Sequence, residues 1–130
     1  MFRFTILLAT TVAMALPHAA GDEISFNEHI RPILNSKCTK CHGGAVSEGD
    51  YLMVSREQAL SKGKSGKAGI IPGKPHESEI YRRIITDDLD EKMPRQIGSH
   101  KEKPLTDEQA ELIRKWIEQG AEWEQHWAYI

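Results

Sequence analysis

Cys38-Thr39-Lys40-Cys41-His42 decides how the rest of this sequence is read. These are the only two cysteines in 130 residues, and a histidine directly follows the second. C-x-x-C-H is the pattern of covalent c-type haem attachment. Three residues along a chain is just under one helical turn, so both sulfurs can point to the same side. Each thiol can then add to one haem vinyl group, and the His42 imidazole can reach the iron from the proximal side.

Other chemistries use similar spacings. A thioredoxin-like C-x-x-C belongs in a βαβ context, whereas the flanks here read as helix and glycine loop. A zinc site needs four N, S or O ligands, and there is no second cysteine pair. A disulfide closing so small a loop stabilises little.

Apolar residues make up 39% and charged residues 28% of the chain, the balance of a globular domain rather than a disordered segment. The length suits one domain. A net charge of −2 gives no electrostatic case for nucleic-acid binding. A domain of about 110 residues buries only a modest core, and a covalently held porphyrin would add a large apolar plate to it.

Residues 1–20 read as a secretory signal peptide. Arg3 supplies the positive start, Phe4 to Leu16 is an apolar run, and Ala19, Ala20 and Gly21 follow as small residues. The run is short for a membrane span, so no span is expected in the mature chain unless this segment stays uncleaved as an anchor. The reading is therefore an exported domain over 21–130, periplasmic or otherwise extracytoplasmic.

Ser25-Phe26-Asn27-Glu28 has the form of a capping box and predicts a helix start at Ser25. Phe26, Ile30, Ile33 and Leu34 share one face at helical spacing. Pro32 should kink or shorten this helix, which feeds directly into Cys38. His29 lies off the apolar stripe and reads as a surface residue. After His42, Gly43 and Gly44 let the backbone turn close to a flat ligand, or simply form a loop. Ala45 to Leu52 reads as loop. Ser55 to Gln58 is a second capping box opening a short helix. Residues 61–69, rich in lysine, glycine and serine, read as a mobile surface loop. Prolines 72 and 75 predict an extended turn. A third helix then opens at Pro75 or Ser78, with Ile80, Tyr81, Ile84 and Ile85 as its apolar face. Glu77 and Glu79 stand in its first turn and Arg82 and Arg83 near its end, matching the helix dipole.

Met93-Pro94 is the second group singled out. A thioether is a soft ligand, and Met opposite His is the arrangement that raises the haem potential in cytochromes. Pro94 should hold the backbone extended and aim Met93 inward. Met53 competes for the role, since Met1 and Met14 fall in the leader. Met is more often core than ligand, but a Met beside Pro on a polar loop is hard to explain as core. His76, His100 and His126 are the remaining conceivable sixth ligands.

Thr106-Asp107-Glu108-Gln109 is a third capping box, with Leu105 and Ala110 as its hydrophobic staple. Leu112, Ile113, Trp116 and Ile117 form a buried stripe on the last helix, which should pack across the first, and Gly120 stands at C′. The aromatic tail Trp123, His126, Trp127 and Tyr129 should either fold back or dock on something further along.

Read together, these stretches resemble the planctomycete-type cytochrome c domain, a branch of the class I cytochromes c. The resemblance is carried by Ile24 to Leu34, Cys38 to Gly43, Ile71 to Lys74, Ser78 to Ile84, Met93-Pro94 and Leu105 to Trp123. It implies a small all-α fold of about four short helices around one covalent haem c. It also implies Cys38 and Cys41 as thioether anchors, His42 as proximal ligand and Met93 as distal ligand. Two stretches depart from the family pattern. Arg95 stands where a second proline is common, and Gly49-Asp50-Tyr51-Leu52-Met53 replaces a glycine-leucine stretch. Such domains often head longer polypeptides, so residues 121–130 are a candidate linker and the chain a candidate truncated member.

The function read from the sequence is single-electron transfer to a redox partner protein or a fused neighbouring domain, with the chain a carrier more than a catalyst. Two alternatives share its cysteines. One is a haem enzyme or gas sensor with an open distal site, and the other is a thiol-disulfide oxidoreductase.

Overall fold

The computed structural model describes residues 23–99 and 101–125. The leader read at 1–20, and the candidate ligands His100 and His126, lie outside the described residues. The described fold is helical. Five α-helices follow one another: α1 (Arg31–Lys37), α2 (Thr39–His42), α3 (Arg56–Leu60), α4 (Glu79–Ile85) and α5 (Asp107–Glu118). A π-helical turn, Phe26–Ile30, leads into α1, and 3₁₀ turns lie at Glu48–Asp50 and Pro75–Glu77. No strand occurs among the described residues, in line with the all-α reading. None of their helices is long and apolar enough to cross a membrane.

The first helix starts at Ser25, whose side chain accepts the Glu28 N–H. The return bond differs from the capping box read in the sequence. The Ser25 N–H donates to His29 Nδ1 at 3.1 Å, so His29 is half-buried and engaged rather than a plain surface residue. Pro32 takes effect one turn earlier than a kink at its own position. It has no N–H to give and its ring crowds the carbonyl four residues back. The preceding turn widens to π spacing, with the Arg31 N–H reaching Phe26 O.

α5 carries the full capping box read at Thr106 and Gln109. At its end Gly120 adopts φ +108°, and the Gly120 and Ala121 N–H groups bond to Ile117 O and Trp116 O. This is the Schellman closure that only a residue tolerant of positive φ supports cheaply. Ile113, Trp116 and Ile117 are buried and Leu112 is half-buried, so α5 rests on the π turn and on α4. Phe26, Trp116 and Trp123 form the aromatic centre, with Phe26 and Trp123 rings 4.2 Å apart.

The aromatic tail thus folds back as far as it is described. Ala121 is fully buried, and the Glu124 carboxylate accepts the Phe26 N–H at 2.8 Å. Of the candidate linker 121–130, residues 121–125 pack on the first helix and 126–130 lie outside the described residues. Residues 61–69 are more ordered than their composition suggests. Lys62 and Ala68 form an antiparallel bridge, and the Gly69 N–H closes onto Ser61 O.

Candidate functional site: the Cys-His turn and its strap

α1 runs out at Lys37 but its hydrogen bonding continues, because the Cys38 N–H donates to Leu34 O at 2.8 Å. Cys38 itself leaves helical geometry, with φ −122°. Its carbonyl accepts from both Cys41 and His42, at 3.2 and 2.9 Å. A single tight turn therefore holds the two sulfurs and the imidazole, as the spacing implies. It forms a short helix of its own, which is why the fold has one more α-helix than the four read from the sequence. Both thiols are free and half-buried, and Cys38 packs against the core. Burial pushes the Cys38 thiol up to about 12, against a smaller opposing pull from Lys37. Thiol-disulfide catalysts need the opposite, a depressed thiol pKa.

The next stretch doubles back on this turn. Gly49 and Asp50 both adopt positive φ, +66° and +54°, and reverse the chain; glycine and aspartate are residues that tolerate this. Tyr51 to Met53 then runs beside His42 as a strap. The Met53 N–H donates to His42 O at 2.8 Å, and His42 Nδ1 lies 3.0 Å from Tyr51 O. A carbonyl can only accept, so Nδ1 is the donor, which in the neutral ring leaves the lone pair on Nε2. That is the tautomer a metal-ligating imidazole needs.

Tyr51 is itself held. Its hydroxyl donates to Ala59 O at 2.6 Å, and its ring lies edge-on to His42 with centroids 5.7 Å apart. Burial lifts the phenol pKa well above its ordinary range. Gly63 and Gly69 leave room for the ring: a Cβ at Gly69 would stand 2.2 Å from the Tyr51 hydroxyl. Sequence reading flagged this stretch only as a departure from the family pattern. The signal that could have found Tyr51 is the pair of turn residues just ahead of it, which bring the chain back.

Met93 comes from a different place, the loop after α4. It is half-buried, its N–H donates to Arg83 O at 2.9 Å, and Pro94 behind it is buried. The Met93–Pro94 peptide is cis. Met53, its rival, is 3% exposed and belongs to the core. His76 is exposed, with its ring edge-on to Tyr81 at 5.3 Å.

Two further features bear on whether an apolar, polar-edged cofactor such as haem suits these residues. The large exposed hydrophobics among the described residues are Val46, Val54, Ile85 and Leu89. Val46 and Val54 follow His42 and its bonded partner Met53; Ile85 and Leu89 lie between Arg83 and Met93. The uncovered apolar surface thus sits on the two segments that carry the proposed ligands. In addition, Gln96 Nε2, three residues past Met93, is buried without a hydrogen-bond partner. Such a donor calls for an acceptor. Free thiols on one turn, an imidazole with Nε2 available, bare apolar flanks and an orphaned donor together fit the group.

A family model described as Planctomycete cytochrome C matches residues 38–96. The match begins on Cys38 and ends on Gln96, so it spans the Cys-His turn, the strap and the Met93 loop. No curated protein and no solved structure matches the chain.

Proposed function

We propose that this chain, similar over residues 38–96 to the planctomycete cytochromes c, is an exported domain carrying one covalent haem c and passing single electrons. Cys38 and Cys41 would hold the haem through thioethers, with His42 as proximal and Met93 as distal iron ligand. When bound, the haem supplies the one-electron redox chemistry. The observation that carries the reading is the 3.0 Å approach of His42 Nδ1 to Tyr51 O on the turn that holds both thiols.

The chain's own part is to bind, orient and exclude water. The Tyr51 carbonyl fixes the tautomer and facing of the His42 ring. Val46, Val54, Ile85 and Leu89 would offer the apolar surface that such a group covers. A thioether from Met93 would favour the reduced state and raise the potential. The leader at 1–20 supports export, and the partner is a redox protein or a domain joined beyond residue 121.

The test is expression with a periplasmic haem-attachment system, followed by a denaturing gel stained for covalent haem. Wild type should stain, and Cys38→Ser with Cys41→Ser should not. An exported, soluble, unstained wild-type chain would sink the proposal. Rapid carbon monoxide binding to the reduced, stained protein would instead favour the open-site reading of a haem enzyme or gas sensor.

A further inference from the structure

Glu79 opens α4, where the sequence reads it as a first-turn acid matching the helix dipole. It is only 7% exposed. Both carboxylate oxygens are taken. Oε2 accepts from Arg82 Nε at 2.8 Å, and Oε1 accepts from Arg82 Nη2 at 2.9 Å and Arg83 Nε at 2.8 Å. Lys67 Nζ stands 3.9 Å from Oε2. Two arginines adjacent in sequence are thus turned onto one carboxylate.

Each of those arginines then reaches the loop that carries Met93. Arg82 Nη1 pairs with the Glu91 carboxylate. Arg83 Nη1 donates to Glu91 O at 3.2 Å, and Arg83 O accepts the Met93 N–H at 2.9 Å. Lys92 closes the loop on itself, with its N–H on Asp88 O and its Nζ on Thr86 O at 2.7 Å. Charge-assisted bonds to a buried, multiply engaged carboxylate are the strong kind, unlike exposed pairs. The α5 set, Arg114 with Glu111 and Glu118, offers the contrast: its carboxylates are more exposed than that of Glu79, and it links only residues of one helix.

We propose that Glu79 is a positioning residue for Met93, locking Arg82 and Arg83 in the geometry that clamps Glu91 to Met93 against α4. The proposal rests on the reading of Met93 as distal ligand. Without Glu79, two neighbouring guanidiniums lose their shared anion and repel, and the loop they hold is released.

The experiment is amide hydrogen exchange on the haem-loaded full chain, comparing wild type, Glu79→Gln and Arg114→Gln. In Glu79→Gln the Met93 amide should exchange about tenfold faster or more, the scale of a lost charge-assisted hydrogen bond. The amides of Trp116 and Ile117 should keep their wild-type rates, and Arg114→Gln should leave Met93 unchanged. The ferric thioether-to-iron absorption band should weaken in Glu79→Gln alone. A Met93 amide exchanging at the wild-type rate, or only in step with Trp116, overturns the proposal. Should Glu79→Gln lose the folded state, Arg83→Lys reads the same amide while keeping the charge. Failure of the ligand reading looks different: Met93→Ala would retain the thioether band, while exchange at Met93 still judges the clamp.

Discussion

The Tyr51 hydroxyl occupies the space that a side chain on Gly69 would need, 2.2 Å from the site of a Cβ there. Tyr51 cannot swing aside freely, because that hydroxyl is bonded to Ala59 O and its own carbonyl faces His42. Gly69→Ala should therefore cost about 1–3 kcal/mol, the usual penalty of overpacking. Gly44→Ala meets nothing within 4 Å and should be close to neutral. Urea midpoints of the two variants decide this, and equal midpoints would remove the wedge from the account.

Met53 and Met93 should fail in different ways. Met53 is 3% exposed in the core, so Met53→Ala should lose about 2–5 kcal/mol of stability and keep the thioether-to-iron band. Met93 is half-buried on a loop, so Met93→Ala should lose less stability, lose the band and admit carbon monoxide faster to the reduced protein. The visible spectrum of the ferric forms separates them. If both variants keep the band, the assignment of Met93 as distal ligand is wrong.

Much of this was legible in the residues because it depends on local rules. Ser25, Ser55 and Thr106 all cap helices, since a hydroxyl accepting from an N–H three residues on needs only its neighbours. The Cys38 to His42 turn follows from spacing alone. What was not legible depends on distant partners. Nothing in the sequence near Tyr51 says that its carbonyl would meet His42 or that Gly63 and Gly69 would make room for its ring. The surroundings of Glu79 were hidden for the same reason. The helix dipole welcomes a first-turn acid wherever it sits, and only the folded chain brings Lys67 and the Glu91 loop around it. His29 bonding back to Ser25 in place of Glu28 turns on a π turn, which Pro32 imposes beyond the reach of the capping pattern.

Glu79 also sets an acid limit. Hydrogen bonds from Arg82 and then Arg83 hold its carboxyl down to about 2, against the cost of burial, from an ordinary value of 4.5. A depressed folded-state pKa stabilises fully above the unfolded value and stops doing so as pH falls through the folded one. The Glu79 contribution should therefore be intact above about pH 5 and fade between there and pH 2. Lys67, Arg82, Arg83 and Glu91 face the same site. Urea midpoints of wild type and Glu79→Gln should converge as pH drops over that range. A gap that stays constant would mean that Glu79 does not titrate as its partners dictate.

Glu124 and Trp123 should act as one clasp. The Glu124 carboxylate accepts from the Phe26 and Asn27 N–H groups and from the Ser25 hydroxyl, at 2.8, 3.4 and 3.3 Å. It therefore satisfies helix-start donors that have no partner within the helix. Trp123 holds the same segment by packing its ring, tilted, on Phe26, and Arg31 Nη2 adds a bond to Glu124 O at 3.0 Å. Glu124→Ala should cost about 1 kcal/mol, as for loss of a helix cap. Trp123→Ala should cost roughly 2 kcal/mol, less than a fully buried aromatic because Trp123 is half-buried. The double variant should lose less than the sum, because releasing the ring already frees the segment that presents the carboxylate. A double-variant loss equal to the sum, measured by urea unfolding, would mean that the two residues hold the first helix independently.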